Sequence, residues 1–170
     1  MSCNREFNER EPLEVVVSDL TYVKVGGVWH YICLIIDLHA REVIGYAAGR
    51  NKDANLVRKA FYRINADLRE ISIFHTDRGT EFKNEVIDSI ITAFGMTRSL
   101  SAKGSPHDNA VVESMMNILK TEMIFGTTIE NLDELELELF EFVNWYNNKR
   151  LHGSLGYIPP SEYRNRAQTD

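Results

Sequence analysis

The chain has 170 residues, of which 44% are hydrophobic and 26% are charged, and its net charge at pH 7 is -6. This length and composition predict one folded domain and exclude a disordered chain. Two cysteines are too few for a disulfide framework, and no apolar run approaches the ~18 residues of a membrane span. We therefore expect a cytoplasmic protein without membrane contact.

The negative charge is concentrated in one segment, Ile129 to Glu141, which contains six acids and no bases. Without that segment the chain is neutral, because the remaining acids and bases balance. The overall sign of the charge therefore does not exclude a nucleic-acid partner.

Three strands are predicted in the first third of the chain. Val15 to Val23 is rich in β-branched residues, Val28 to Asp37 is a long apolar run, and Glu42 to Gly49 follows a short turn. Short connections between them predict an antiparallel meander. Cys33 and Trp29 lie in the long apolar run and are expected in the core, as is Trp145 further along.

Helices and strands alternate in the next segment. Ala54 to Asp67 and Asn84 to Phe94 have apolar residues at helical spacing, and Gly95 can end the second helix. Ile71 to Asp77 and Thr97 to Ser101 are predicted strands. A strand, helix and strand in this order imply a parallel crossover. The expected fold is α/β, with a mixed five-stranded sheet flanked by helices.

Two more helices are predicted in the last third of the chain. Asp108 or Asn109 is expected to cap the first, which carries Glu113. The second spans Asn131 to Lys149, with Asn131 and Glu134 arranged like a capping box. The segment after it, residues 151–163, is expected to be extended.

Three acids stand out by their positions, although each has a structural explanation. Asp19 lies inside a strand, where it can be a satisfied edge residue. Asp77 ends a strand, where it can form an Asx turn. Glu113 shares a polar helix row with Asn117 and Lys120, which is typical of a solvated face. Brought together, three carboxylates suit a hard divalent cation, and two such ions suit phosphodiester chemistry.

Four motifs in order identify a family resemblance. They are SDLTYV around Asp19, HTDRGTEF around Asp77, SPHDNAVVESMMNILKTE around Glu113, and the tail NWYNNKRLHGSLGYIPPSEY. Thirty-five residues separate Asp77 from Glu113, and Lys120 follows seven after the Glu. Over Asn4 to Tyr163 the chain resembles the integrase-like (DDE) catalytic domain of bacterial insertion-sequence transposases, related to retroviral integrases.

The resemblance implies a ribonuclease-H-like fold and a polynucleotidyl transferase. It implies that Asp19, Asp77 and Glu113 are catalytic and bind two Mg²⁺ or Mn²⁺ ions. The implied reaction nicks the ends of a DNA element to free a 3′-OH, which then attacks target DNA. The implied partners are element and target DNA, with a homo-oligomer forming on the DNA.

Several further residues are candidates for DNA contact. The resemblance implies that Lys120 contacts DNA, and Arg78, Asn117, Arg150 and His152 are added as weaker candidates. For the last two, packing against the core is an equal alternative. Gly79 is expected to let the backbone turn after Asp77, and His75 to be packed. The loop of Gly104, Ser105 and Pro106 is expected to close over DNA.

The expected organisation is a tail at residues 1–14, a catalytic core at 15–165 and a second tail at 166–170. Family members carry a helix-turn-helix region upstream, whereas only about a dozen residues precede the first strand here. We therefore expect a catalytic domain separated from its DNA-recognition region. Two alternatives remain: a catalytically silent domain that binds DNA or a partner, and a stand-alone ribonuclease-H-like nuclease.

Overall fold

A five-stranded mixed sheet forms the centre of the molecule. The computed structural model describes residues 10–100 and 106–169, with the backbone alone for residues 106–109. Its strands are β1 (Val15–Val25), β2 (Val28–Asp37), β3 (Glu42–Gly49), β4 (Ile73–Thr76) and β5 (Thr97–Leu100). Its α-helices are α1 (Ala54–Tyr62), α2 (Glu85–Phe94), α3 (Pro106–Leu119), α4 (Leu132–Asn148) and α5 (Pro160–Thr169).

The strand order is β3-β2-β1-β4-β5, with β1, β2 and β3 antiparallel and β4 and β5 parallel to β1. The predicted meander and parallel crossover are both confirmed. Gly26 and Gly27 connect β1 to β2 with φ of 54° and 81°, a conformation that favours glycine. The hairpin fixes β1 at the middle of the sheet, next to β4.

Each face of the sheet is covered by its own apolar cluster. On one face α3 and α4 contribute Met115, Leu119, Leu135 and Leu139 to a core shared with Leu34. On the other face α1 and α2 cover a cluster that includes Val16, Cys33, Val57, Phe74 and Ile87. Side chains alternate between the two faces along β1 and β2, so each strand contributes apolar residues to both clusters. Helices must therefore cover both faces of the sheet to keep these residues from water.

Helix α1 is shorter than predicted. It ends at Tyr62, and a 3₁₀ turn at Leu68–Glu70 follows. The side chain of Asp67 accepts a hydrogen bond from the backbone N–H of Arg69. Asn and Asp side chains compete in this way with helical backbone hydrogen bonds, so Asn65 and Asp67 oppose a continued helix despite the apolar spacing.

Helix α3 begins earlier than predicted. Its first residue is Pro106, so Asp108 and Asn109 lie inside the helix and the predicted cap is wrong. Proline suits the first helical position because its φ is already helical and its missing N–H would have no partner there. Gly104 and Ser105 of the predicted loop lie outside the described residues.

Helix α4 matches its predicted bounds within one residue. The Asn131 side chain accepts from the backbone N–H of Glu134, and the Glu134 carboxylate accepts from the backbone N–H of Glu130. At the other end the buried Asn147 side chain accepts from Val43 N and donates to Val43 O. These two bonds replace a strand neighbour for β3 and fix α4 against the sheet.

Two expectations for the remaining residues are wrong. The C-terminal segment is not extended throughout, since α5 begins at Pro160 and continues to Thr169. It crosses the expected boundary at residue 165. Trp29 is not in the core: its side chain is 49% exposed. It is the second residue of β2, directly after the β1–β2 turn. No helix in the described part of the chain is long and apolar enough to cross a membrane.

Candidate active site

Two of the three predicted acids are brought together by the sheet. The parallel register pairs Val17 of β1 with His75 of β4. Asp19 and Asp77 each follow two residues later, Asp19 still within β1 and Asp77 directly after the last residue of β4. Neighbouring strands lie ~4.8 Å apart, and β1 and β4 run parallel. The two carboxylates therefore lie near each other on the same side of the β1–β4 pairing, toward the carboxyl ends of the strands.

Glu113 reaches the same place from helix α3. The helix buries Val112, Met115 and Met116 in the core beside β1. Glu113 lies between these residues in sequence but on the outer side of the helix, and it is exposed. The polar row predicted for α3 is confirmed here, and it is directed toward the strand ends.

All three acids line one pocket of about 210 Å³, together with Val17, Ser18, His75 and Val112. Asp77 and Glu113 are exposed at its mouth, whereas Asp19 is half-buried. Among the residues that the structure describes, no three His, Cys, Asp or Glu side chains are grouped closely enough to hold a metal ion. The pocket therefore gathers the carboxylates without converging them to ligand distances.

The pKa of Asp19 is raised to about 6. Burial is the main cause, because it disfavours the charged carboxylate, and the negative charges of Asp77 and Glu81 act in the same direction. A hydrogen bond from the backbone N–H of Leu20 and the positive charge of Lys52 partly oppose the shift. The positive charge of Lys52 and the Leu20 hydrogen bond are thus too weak to offset the effect of burial on this carboxylate.

Asp77 forms the Asx turn that was one of its two predicted roles. Its Oδ1 accepts from the backbone N–H of Gly79 at 2.7 Å. The expectation for Gly79 needs correcting, because its φ is not in the left-handed region. A Cβ atom at this position would lie 2.4 Å from Oε1 of Glu81, so any larger residue would displace the Glu81 carboxylate.

Glu81 is a fourth acid at this site, and the sequence reasoning missed it. It is buried, with 6% of its surface exposed, and its carboxylate lies 3.6 Å from the Lys52 ammonium. Its position four residues after Asp77 was the only available signal. Acid spacing in a loop does not reveal which way a side chain points, so Glu81 could not be distinguished from a solvated residue.

His75 is packed, as predicted. It is buried in β4, and its Nδ1 lies 2.8 Å from the Ser99 hydroxyl of β5. It also lines the acid pocket. Its ring therefore supports the floor of the pocket.

A second, wider groove lies on the other side of Glu113. Its volume is about 520 Å³, and Asn117, Thr121 and Arg150 line it with Glu113. The Arg150 guanidinium lies 5.8 Å from the Tyr146 ring, and its Nη1 lies 3.2 Å from Nδ1 of His152. Asn117 and Arg150, two of the predicted DNA contacts, thus border the surface next to the acids.

The other predicted DNA contacts lie in different surroundings. Arg78 and Lys120 are exposed, the first directly after Asp77 and the second one residue beyond the end of α3. His152 is buried, and burial together with the charge of Arg150 lowers its pKa to about 4. It is therefore neutral near pH 7. Its contact with DNA, like those of the other four residues, stays a prediction.

Comparison with known protein families shows to which family this chain belongs. An integrase core domain family matches residues 9–106, and a second integrase core domain family matches residues 94–160. The chain belongs to the integrase core domain family. The resemblance to the integrase-like domains of insertion-sequence transposases is confirmed, since the matches extend over both the strands and the helix that carry the acids.

Similar full-length proteins come from bacterial insertion sequences. The chain is 32% identical over 166 residues to the Escherichia coli K12 protein InsK, ascribed to element IS150 as its transposase. It is 30% identical over 163 residues to the transposase of IS904 from Lactococcus lactis. These alignments cover 95% and 94% of this integrase core domain, but only 58% and 64% of the relatives. The chain therefore spans about three fifths of their length.

Solved structures with the same fold are retroviral integrase catalytic cores. The HTLV-2 core, solved with magnesium, has a TM-score of 0.69 at 14% identity and covers 90% of this chain and 97% of its own. The BIV core has a TM-score of 0.69 at 18% identity and covers 92% and 96%. At such low identity the likeness shows the fold alone, and it confirms the ribonuclease-H-like class.

Proposed function

We propose that this integrase core domain is the catalytic core of a transposase, a metal-dependent polynucleotidyl transferase that nicks DNA and joins the freed end to target DNA. The observation that carries the proposal is the pocket shared by Asp19, Asp77 and Glu113. Membership of the integrase core domain family and the insertion-sequence relatives support it.

The chemistry of the pocket suits two divalent cations, Mg²⁺ or Mn²⁺. Its donors are carboxylates, and hard cations prefer oxygen ligands. Burial raises the pKa of Asp19, the charges of Asp77 and Glu81 add to the shift, and a bound cation would favour the charged carboxylate. Asp19, Asp77 and Glu113 would hold the ions. When bound, such ions activate an attacking oxygen and stabilise a leaving one.

The proposed reaction has two displacements at phosphorus. In the first, a water oxygen bonds to the phosphorus at the element end, the bond to O3′ breaks, and O3′ takes a proton to become a free 3′-OH. In the second, this 3′-OH bonds to a phosphorus of target DNA, and the target O3′ leaves with a proton. One phosphodiester is exchanged for another in the second step, so no external energy source is required.

The residues beside the pocket would position the DNA strands. Arg78 and Lys120 are exposed cations close to the acids in sequence, and Asn117 and Arg150 border the adjoining groove. Phosphate contacts of this kind set the register of a strand without reading its sequence. His152 lies behind Arg150 and would act by supporting it.

Element recognition and assembly are proposed to need more than this core. The chain spans about three fifths of its curated relatives, so end recognition would belong to segments outside the matched region. Assembly as a homo-oligomer on DNA is proposed as well, since related cores have been solved as a dimer, a trimer and part of an intasome. Residues 15–165 are the proposed catalytic core.

Nicking of supercoiled plasmid tests the proposal without requiring a specific element end. The wild-type chain is expected to nick plasmid in Mg²⁺ or Mn²⁺ and not in EDTA. Asp77→Asn is expected to abolish nicking, because it removes a cation ligand. The matched control, Asp133→Asn, replaces an exposed acid on α4 and is expected to retain wild-type activity.

Three other outcomes would revise the proposal. Nicking that survives Asp77→Asn would place the chemistry elsewhere. Cleavage of RNA–DNA hybrids without any joining of DNA ends would favour a stand-alone ribonuclease-H-like nuclease. DNA binding without cleavage by a longer chain carrying the upstream region would favour a regulatory domain.

A further inference from the structure

Another cavity lies on the far side of helix α3 from the acid pocket. Ser114 and Ile118 of α3 line this cavity, whereas Val112 and Glu113 of the same helix line the acid pocket. Because a helix has ~3.6 residues per turn, these two pairs lie on opposite flanks of α3. The body of the helix therefore separates the two cavities.

The charged side chains of this cavity are two arginines. Its volume is about 300 Å³, and Arg41 of the β2–β3 turn and Arg150 of the segment after α4 line it. Among the described residues no Asp or Glu lines it, and neither arginine forms a salt bridge. We call this cavity the arginine pocket. In a chain with a net charge of -6, it carries positive charge without a neighbouring carboxylate.

The backbone at Arg41 has an unusual conformation for this residue type. Its φ is 55°, in the left-handed region that glycine and asparagine adopt more readily than residues with long side chains. A turn alone would be more stable with one of those two residues. Backbone strain of this kind is typical of functional positions, and here it accompanies a guanidinium that lines a cavity.

Two buried rings form the wall of the pocket between the arginines. The Arg150 guanidinium lies 5.8 Å from the centre of the Tyr146 ring, and its Nη1 donates to Nδ1 of His152 at 3.2 Å. Burial raises the pKa of Tyr146 to about 12 and lowers the pKa of His152 to about 4, and the charges of Arg150 and Arg41 lower both. Both rings are therefore neutral near pH 7, and neither supplies a negative charge to balance the two guanidiniums.

The donors of the pocket suit a phosphate group. Each guanidinium presents a planar fork of N–H donors that matches two phosphate oxygens. The hydroxyls of Ser114 and Ser154, which also line the pocket, are neutral donors for the remaining oxygens. The pocket thus offers donors on several sides to one compact anion.

We propose that the arginine pocket binds a phosphate group between the guanidiniums of Arg41 and Arg150. Two sources fit its position. The pocket shares Ser114, Ile118 and Arg150 with the groove beside Glu113, so a DNA strand in that groove would bring a phosphodiester to it. A free nucleotide would bring a phosphate monoester. The site goes beyond the proposed function, since it requires no metal and lies across α3 from the acids.

Titration with inorganic phosphate in EDTA tests the site directly. The NMR signals of the arginine side-chain N–H groups would be followed at constant ionic strength, with chloride as the comparison anion. The Arg41 and Arg150 signals are expected to shift and to saturate with phosphate but not with chloride. Arg63 is the internal control, because its guanidinium also lies over a tyrosine, 5.1 Å from the Tyr46 ring. Its signal is expected to stay unchanged.

Variants at Arg41 assign the binding to its guanidinium. Arg41→Asn removes the guanidinium and keeps a residue that tolerates this backbone conformation, so the turn is expected to fold normally. Phosphate binding, read from the Arg150 signals, is expected to weaken on the order of tenfold, because a hydrogen bond between charged groups is lost. Arg41→Lys keeps the charge without the planar fork and is expected to restore part of the affinity. Arg63→Asn is the matched control and is expected to bind phosphate like wild type.

Duplex DNA and a mononucleotide distinguish the two sources of phosphate. Fluorescence anisotropy in EDTA would measure duplex affinity, and deoxyadenosine monophosphate would replace inorganic phosphate in the NMR titration. If DNA supplies the phosphate, Arg41→Asn lowers duplex affinity several-fold and the slope of log affinity against log salt by about 0.9, whereas Arg63→Asn changes neither. If duplex affinity is the same in Arg41→Asn and wild type, a free phosphate compound is the ligand.

Three results would overturn the phosphate site. They are no shift of the Arg41 and Arg150 signals with phosphate, shifts that chloride reproduces, and phosphate affinity that is equal in wild type and Arg41→Asn. Each of these measurements is made without metal, so each leaves the result of the plasmid nicking assay unaffected. Failure of the arginine pocket and failure of the proposed function are therefore distinguished.

Discussion

Two groups of acids in this molecule differ in what surrounds them. Asp37 and Glu42, at the β2–β3 turn, are both buried and hydrogen-bonded. Asp37 accepts hydrogen bonds from the backbone N–H groups of Leu13 and His39, and Glu42 accepts from the Arg164 guanidinium. Within the described residues, Asp19, Asp77 and Glu113 form no salt bridge, and the first two each accept one hydrogen bond from a nearby backbone N–H.

Burial raises the pKa at both places, but the neighbouring charges act in opposite directions. For Glu42 the Arg164 charge lowers the pKa and opposes burial. For Asp19 the charges of Asp77 and Glu81 raise it and add to burial. An acid that the fold has neutralised stabilises structure, whereas a group of acids left without cations is arranged for a ligand.

Replacing one acid in each group should separate activity from stability. Glu113→Gln is expected to lower metal-dependent nicking by on the order of a thousandfold, comparable to removing a group that stabilises transition-state charge. Since Glu113 is exposed, the substitution should change the free energy of unfolding of the protein by less than ~0.5 kcal/mol. Plasmid nicking and urea unfolding would be measured on the same preparations.

Glu42→Gln serves as the counterpart in that experiment. It is expected to lose stability and to keep the specific activity of its folded fraction, because Glu42 lies in a different group from the acid pocket. A large stability loss in Glu113→Gln, or an inactive but fully folded Glu42→Gln, would remove the distinction between the two groups.

The ion pair of Glu42 offers a matched test on one helix. Arg164→Ala should destabilise the protein by about 2–3 kcal/mol near neutral pH, because it leaves a buried carboxylate unpaired. Arg166→Ala removes an exposed pair with Glu162 on the same helix and should cost about 0.3–0.5 kcal/mol. Urea unfolding at two pH values would show the Arg164 effect shrinking as Glu42 becomes protonated in acid. Equal effects of the two arginines would contradict the assignment.

Asp19→Asn should stabilise the metal-free protein. The pKa of Asp19 is about 6 in the folded state against an ordinary value of 3.8, so the native state binds the extra proton and stability falls as pH rises through that window. The amide avoids this cost, and the expected gain near pH 7 is about 1–2 kcal/mol. Unfolding in EDTA should show the gain vanishing below pH ~4. A gain independent of pH would mean that charge is not its cause.

Lys120→Ala should produce a modest change in DNA affinity. One phosphate contact fewer lowers the slope of log affinity against log salt by about 0.9, and affinity at moderate salt by several-fold. Lys149→Ala, at an exposed lysine that follows α4, is the control and should change neither quantity. Unchanged binding by Lys120→Ala would remove this residue from the set of DNA contacts.

The elements that were predicted well are those with strong local patterns. The bounds of β2 and β3 are those predicted, because long apolar runs between turn residues leave few alternatives. Helix α5 was missed because its sequence, PSEYRNRAQT, has no apolar periodicity and buries little beyond Pro160. The early start of α3 was missed because a cap was expected at an Asp or Asn, whereas Pro106 begins the helix.

The site was predictable where chain order determined it. Pairing of β1 with β4 follows from the crossover topology and brings Asp19 beside Asp77. Glu81 and Trp29 were not predictable in the same way. The burial of Glu81 depends on how the loop after Asp77 folds against Lys52. Trp29 lies near the start of an apolar run, beside the turn, and such a run does not reveal which of its residues a neighbouring element covers.

Mn²⁺ binding by calorimetry is the most direct measurement, because it asks whether Asp19, Asp77 and Glu113 form a cation site. Wild type, Asp77→Asn and the control Asp133→Asn would be compared in the absence of DNA. We predict that wild type and Asp133→Asn bind Mn²⁺ with the same affinity and that Asp77→Asn binds at least tenfold more weakly. Equal binding by all three proteins, or no binding by any, would contradict the proposed site.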